Sequence, residues 1–168
     1  MILRKSSKKD LNNIMRIINE AKIFLRNNKV DQWQNGYPNE EVILRDIENN
    51  ESYILENNGE IIGTTALSFN GEKTYDEIYE GKWLSNGQYA VIHRIAVTNS
   101  SNKKGIGTEI IKKAEEVCIA KGINNIKIDT HEDNLVMQKL LIKNKFKYCG
   151  IIYLLDGSKR IAFEKIII

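Results

Sequence analysis

The segment Val91-Ile92-His93-Arg94-Ile95-Ala96-Val97 runs through a seven-residue polar loop into Gly105-Ile106-Gly107 and an amphipathic helix. An almost unbroken apolar run of this kind reads as a strand covered on both faces, as in a parallel sheet. Helical spacing puts Ile110, Ile111, Ala114, Val117 and Cys118 on one face, and Gly122 marks the stop. A second strand over 126–130 completes a strand-helix-strand unit, which supplies a parallel pair. The turn into the helix has chemistry of its own. Backbone N–H groups at a helix start lack intrahelical acceptors, and the helix dipole adds partial positive charge, so a phosphate or pyrophosphate is favoured there. Glycine lets the backbone approach an anion closely, and Lys103 and Lys104 add full charges.

Two common phosphate loops do not fit. A P-loop has four residues between its glycines and a following Lys-Ser/Thr, whereas one residue separates Gly105 from Gly107 and Thr108 follows. The dinucleotide fingerprint requires a third glycine where Ile110 stands. A nucleotide-phosphate enzyme is therefore the weakest of the functional readings.

The rest of the chain reads as one domain over 1–168. A short strand over 1–6 precedes Ser7-Lys8-Lys9-Asp10, which has the form of a capping box. Leu11, Ile14, Met15, Ile18, Ala21 and Leu25 follow at helical spacing, and a second helix is expected over 39–50. Segments 52–56 and 60–69 form a hairpin turned at Asn57-Asn58-Gly59. Residues 70–88 show no clear period and read as a partly structured insertion. A helix over 133–144 and strands over 147–154 and 160–168 end the chain. The order β-α-α-β-β-β-α-β-α-β-β predicts a mixed α/β sheet.

Composition excludes several classes. With 42% hydrophobic and 28% charged residues the chain is an ordinary globular one. A net charge of +3 with dispersed lysines gives no case for nucleic acid. No apolar run approaches the roughly 20 residues of a membrane helix, and the N-terminus has no signal-peptide pattern. Cytoplasmic localisation is expected. Cys118 and Cys149 have neither metal-type spacing nor a disulfide framework, so they read as reduced structural thiols and no metal is expected.

Asn102-Lys103-Lys104-Gly105-Ile106-Gly107 resembles the acyl-CoA loop Gln/Arg-x-x-Gly-x-Gly/Ala of the GCN5-related N-acetyltransferase (GNAT) family. It lies at that family's usual distance from a strand ending Ile95-Ala96-Val97. A second block follows in order. Strand 126–130, Asn134 at a helix start and Phe146 twelve residues later resemble the family's Asn-x-x-Ala…Tyr…Gly-Phe block. Asn102 replaces the usual Gln or Arg, Met137 the Ala and Lys145 the Gly. Leu141 takes the place of the tyrosine often assigned as general acid, so that role does not carry over. The resemblance implies a GNAT-like fold, a central mixed sheet of about seven strands flanked by about four helices. It implies acetyl-CoA as co-substrate and an amine, small-molecule or protein, as acceptor, with a homodimer left open.

The resemblance also assigns roles. Asn102, Lys103, Lys104, Gly105, Ile106, Gly107 and Thr108 would hold the pyrophosphate. Backbone N–H groups near Ile95, Ala96 and Val97 would serve the pantetheine and the developing oxyanion, if the strands at 89–97 and 126–130 splay apart. Asn134 would hydrogen-bond the pantetheine, or cap its helix. His93 breaks the apolar strand and is placed by alternation on the face of Ile95 and Val97. It is a candidate general base, with a backbone-satisfied core histidine as the alternative. Arg94 faces the other way, towards a carboxylate partner. Trp33, Tyr37, Tyr79 and Trp83 lie in polar, loop-like segments, where they would grip an amine or pack under a loop. The thiolate would take its proton from solvent, Tyr148, Tyr153 or His131. The sequence thus reads as an N-acetyltransferase acting by direct attack of a bound amine. The alternative is a non-catalytic acyl-CoA-sensing module of the same fold.

Overall fold

The computed structural model describes residues 1–99 and 104–167. Its elements are β1 (Ile2–Lys5), α1 (Leu11–Asn27), α2 (Glu40–Glu48), β2 (Ser52–Asn57), β3 (Glu60–Ser68), β4 (Ala90–Val97), α3 (Ile106–Ala120), β5 (Asn125–Thr130), α4 (Leu135–Lys143), β6 (Lys147–Tyr153) and β7 (Lys159–Ile166). Single 3-10 turns at Lys8–Asp10 and Lys73–Tyr75 complete the list. The element order is the one the sequence implies. The strands form one mixed sheet in the order β1-β2-β3-β4-β5-β7-β6. Two compact units are distinguished, Met1–Leu67 with Arg94–Ala114, and Ser68–His93 with Glu115–Ile168. β4 thus passes from one to the other between His93 and Arg94.

In the first unit two apolar layers grow from strand alternation. Ile54 and Ala96 join Ile14, Ile17, Ile18 and Ile43 of α1 and α2. Their neighbours Leu55, Ile95 and Val97 join Ile62 and the α3 residues Ile106 and Ile110. The expected capping box is present, with Ser7 N donating to Asp10 Oδ2 at 2.8 Å. Asp10 also accepts two hydrogen bonds from Arg4, both 3.0 Å.

The four described α-helices end alike, in paired 6→1 and 5→2 hydrogen bonds. Val30 N donates to Leu25 O and Lys29 N to Arg26 O; Glu51 N donates to Asp46 O and Asn50 N to Ile47 O. Ile123 and Gly122 close α3 in the same way, and Phe146 and Lys145 close α4. Lys145 stands where the GNAT motif has Gly and is held at φ 68°, a backbone region that glycine enters without a Cβ penalty. Its successor Phe146 and the α4 residue Leu141 are both buried. Leu141 is therefore a core residue of the helix end.

In the second unit the segment 70–88, expected as a partly structured insertion, holds one 3-10 turn and is otherwise irregular. This segment is a strap tied to the sheet by long-range contacts. Tyr79 and Ile151 exchange both backbone hydrogen bonds, each 2.8 Å. Leu84 N and Ser85 N donate to Glu164 Oε2 at 2.6 and 3.3 Å, and Ser85 Oγ donates to Oε1. Trp83 Nε1 donates to the Tyr75 carbonyl at 2.9 Å. The Lys127 ammonium lies 4.3 Å from the Trp83 ring centre and 3.9 Å from that of Tyr89. Because the strap is fixed by partners distant in sequence, it has no helical or strand period to read.

The strap also approaches β6 too closely for side chains at the crossing. A Cβ on Gly81 would stand 1.9 Å from the Cys149 carbonyl oxygen, and one on Gly150 would stand 2.5 Å from that of Tyr79. Gly81→Ala is expected to destabilise the protein by about 1–3 kcal/mol or more, the usual cost of overpacking. A lowered urea midpoint at unchanged slope would register it.

Candidate active site

Arg94, at φ 52°, breaks the alternation of β4. Its Nε and Nη2 donate to the two carboxylate oxygens of Asp46 on α2 at 2.8 and 2.7 Å, and its Nη1 donates to Tyr37 Oη at 2.7 Å. The pair is buried, at 14% and 8% side-chain exposure. Asp46 thereby has a cation of its own. Trp33 packs against the α1–α2 core. In the first unit Tyr37 and Trp33 are thus tied to the scaffold.

The positive φ also corrects the expected face of His93. Ile95 and Val97 pack with α3, whereas His93 meets the strap. His93 Nε2 lies 3.4 Å from Glu72 Oε2. The other Glu72 oxygen, Oε1, accepts from Thr74 N at 3.2 Å and Thr74 Oγ1 at 3.0 Å. Glu72 N donates to Tyr89 Oη at 3.2 Å. The His93 contact, with the two Thr74 hydrogen bonds, outweighs desolvation and holds the Glu72 carboxyl at about 2. Alongside, Tyr75 Oη donates to Asp129 Oδ2 at 2.6 Å. Burial raises the pKa of Asp129, and it pushes that of the Tyr75 phenol well up. The polar cluster is thus Glu72, Tyr75, Tyr89, His93 and Asp129. Only His93 was singled out from sequence. The signal for Glu72 was local: a carboxylate before Thr74 that caps the 3-10 turn.

Beside the cluster the strap opens a cleft of about 330 Å³ lined by Lys73, Thr74, Asp76, Glu77, Tyr79, Tyr153 and Leu155. Tyr79 packs edge-on to Tyr153 and donates to Glu77 Oε2 at 2.8 Å. Trp83, by contrast, packs against the core cluster around Tyr75 and Val91. Tyr148 packs edge-on to Phe163. The β7 neighbours Ala162 and Glu164 carry the strap contacts, so alternation puts Tyr148 on the other sheet face from Glu72. It is not brought to His93. Asn134 caps α4, accepting from Met137 N at 3.1 Å, and His131 Nδ1 accepts from Asp133 N at 3.1 Å.

The turn expected to hold acyl-CoA lies partly within the described residues. Asn102 and Lys103 lie outside the described residues. Lys104 is exposed, and Gly105 stands at φ 88° with no atom within 4 Å of where a Cβ would be. Ile106, Gly107 and Thr108 form the first turn of α3. The β4–β5 register consists, among the described residues, of Ala90↔Ile126 and Val91↔Lys127. No group of three His, Cys, Asp or Glu that could hold a metal occurs among the described residues. No described helix is long and apolar enough to cross a membrane.

A family model described as "Acetyltransferase (GNAT) family" matches residues 14–146. The chain belongs to the GNAT family. It is similar to a GNAT-family acetyltransferase from Streptococcus agalactiae, at 33% identity and TM-score 0.89, over 98% of this chain and 94% of that one. A protein of known structure from Staphylococcus aureus Mu50 follows at 27% identity and TM-score 0.73, over 99% of each chain. A GNAT-family acetyltransferase from Listeria monocytogenes shares the fold at 19% identity and TM-score 0.75, over 99% and 94%. Comparison with curated proteins finds no match. Membership makes the chain an acyltransferase by family, with the seven-stranded sheet and four flanking helices of GNAT structures.

Glu72 links this site to acid stability. Its folded-state pKa is depressed from 4.5 to about 2, so its contribution is present above the ordinary value and is lost as pH falls towards the folded one. The stability advantage of the wild type over Glu72→Gln is therefore expected to shrink between pH 4.5 and about 2. Urea unfolding at stepped pH measures it.

Proposed function

We propose that the chain is a cytoplasmic N-acetyltransferase, a single catalytic domain that acetylates a primary amine with acetyl-CoA. The observation that carries this reading is a histidine on β4 of a GNAT fold, in contact with an ionised carboxylate. The turn at Lys104 to Thr108 fits a pyrophosphate. Its Gly105 backbone is open on the side a Cβ would fill, and α-helix geometry leaves first-turn N–H groups to outside acceptors. Asn102 and Lys103 are proposed as further pyrophosphate contacts. The backbone of Ile95, Ala96 and Val97 would take the pantetheine, with Asn134 as a further contact.

Acetyl-CoA supplies a thioester, whose acyl carbon a neutral amine can attack. The chain's own residues do the rest. His93 takes the amine proton as the N–C bond forms and the C–S bond breaks, and solvent protonates the thiolate. Backbone N–H groups on β4 stabilise the developing oxyanion. The cleft beside Thr74 suits the acceptor, because Tyr79 and Tyr153 offer apolar surface and Asp76 and Glu77 attract a cation. Trp83 supports the wall from behind, and Trp33 and Tyr37 shape the scaffold around Arg94.

Acetyl-CoA-dependent thiol release with a panel of amines tests the activity. Binding of CoA without any acetyl transfer would make the chain a sensing module instead. His93→Gln is expected to lower kcat by about 10²–10⁴-fold with CoA affinity kept; near-normal turnover would remove His93 from the chemistry. Gly107→Val is expected to lose most of the CoA affinity in calorimetry, since a branched side chain blocks backbone approach to the anion.

A further inference from the structure

We propose that Glu72 is the positioning residue for His93, setting which ring nitrogen is basic and stabilising the imidazolium as the amine proton arrives. This rests on the reading of His93 as the base. The strap brings the carboxylate to the ring, and three fixed contacts hold it there. Oε1 takes both the backbone N–H and the hydroxyl of Thr74, and the Glu72 backbone N–H is engaged by Tyr89 Oη. Oε2 is thereby directed at His93 Nε2, at 3.4 Å. Contacts of catalytic bases are often long in the absence of substrate and tighten in the reacting complex.

The consequence is a defined tautomer. An ionised carboxylate accepts hydrogen bonds and donates none, so Nε2 carries the proton and Nδ1 becomes the basic nitrogen. When Nδ1 gains the amine proton, the ring is an imidazolium facing a negative charge, and Coulomb attraction stabilises that form. Glu72 stays ionised throughout, because its own pKa is held at about 2. It is therefore not itself the base. The other titratable groups of the cluster differ in kind. Asp129 on β5 acts on His93 electrostatically and is also influenced by Arg160, while its Oδ2 accepts the Tyr75 hydroxyl. The Tyr89 hydroxyl oxygen accepts from the Glu72 backbone N–H. Glu72 is the carboxylate in contact with the ring.

The test uses Glu72→Gln and Glu72→Asp in the full chain. Glu72→Gln should lower kcat by about tenfold or more, as loss of orientation at a base does, while the KM for acetyl-CoA is kept. The ascending limb of its pH–rate profile should move to lower pH, because the negative charge that favours the imidazolium is gone. Glu72→Asp should recover part of both effects. Nitrogen-15 NMR of the histidines at high pH should show the Nε2–H tautomer at His93 in the wild type and a tautomer mixture in Glu72→Gln. An unchanged limb and kcat in a folded Glu72→Gln protein would overturn the proposal, as would an unchanged tautomer. The NMR readout needs no turnover. Failure of the whole acetyltransferase reading would show as an inactive wild type, and the tautomer would still decide on Glu72.

Discussion

The carboxylate of Glu164 on β7 is fully buried, and it accepts from Leu84 N, Ser85 N and the Ser85 hydroxyl. A buried charge without such partners costs several kcal/mol. Sheet and strap therefore depend on each other. The strap needs an anchor, since it has little regular structure beyond one 3-10 turn, and the sheet needs something to satisfy the carboxylate. What the strap then delivers is chemical. Its first turn carries Glu72 and Tyr75 to His93 and Asp129, so a buried carboxyl group on one strand decides the surroundings of a titratable ring on another.

A second constraint acts inside β4. A non-glycine residue in the left-handed region costs about 1–2 kcal/mol, and Arg94 sits there at φ 52°. The three hydrogen bonds from its guanidinium to Asp46 and Tyr37 offset that cost. The gain is a change of side along one strand. Ile95 and Val97 face the α3 layer, while His93, two positions earlier, is released to meet the strap. A regular strand would have committed all three to one environment.

Much of this was legible in the sequence, and the limits have physical causes. The helices, the hairpin and the order of elements along the chain came from period and capping signals, which are local. Ser7 and Asp10 formed the expected box, and Asn134 caps its helix, one of the two readings its position left open. The partner expected for Arg94 was found in Asp46. The face of His93 was not legible, because alternation assumes an unbroken β conformation and Arg94 violates it. Nor was the strap, whose anchors at Glu164 and Ile151 lie far along the chain. Glu72 was hidden for the same reason: its meaning comes from a histidine on β4, beyond the whole irregular strap. The face of Tyr148 was not legible either, because sequence spacing does not reveal the register shift between Tyr148 and Gly150.

The chain contains two tryptophans, and the fold assigns one to each compact unit. Trp33 packs against the α1–α2 core, and Trp83 lies beside the Lys127 ammonium. The protein thus carries a built-in optical label in each half. A phenylalanine at either position leaves the other indole as sole reporter, and emission from the two single-tryptophan forms can be followed through the same denaturant series. Coincident curves mean that the halves melt as one cooperative body. Separated curves mean that the two units lose their structure in separate steps.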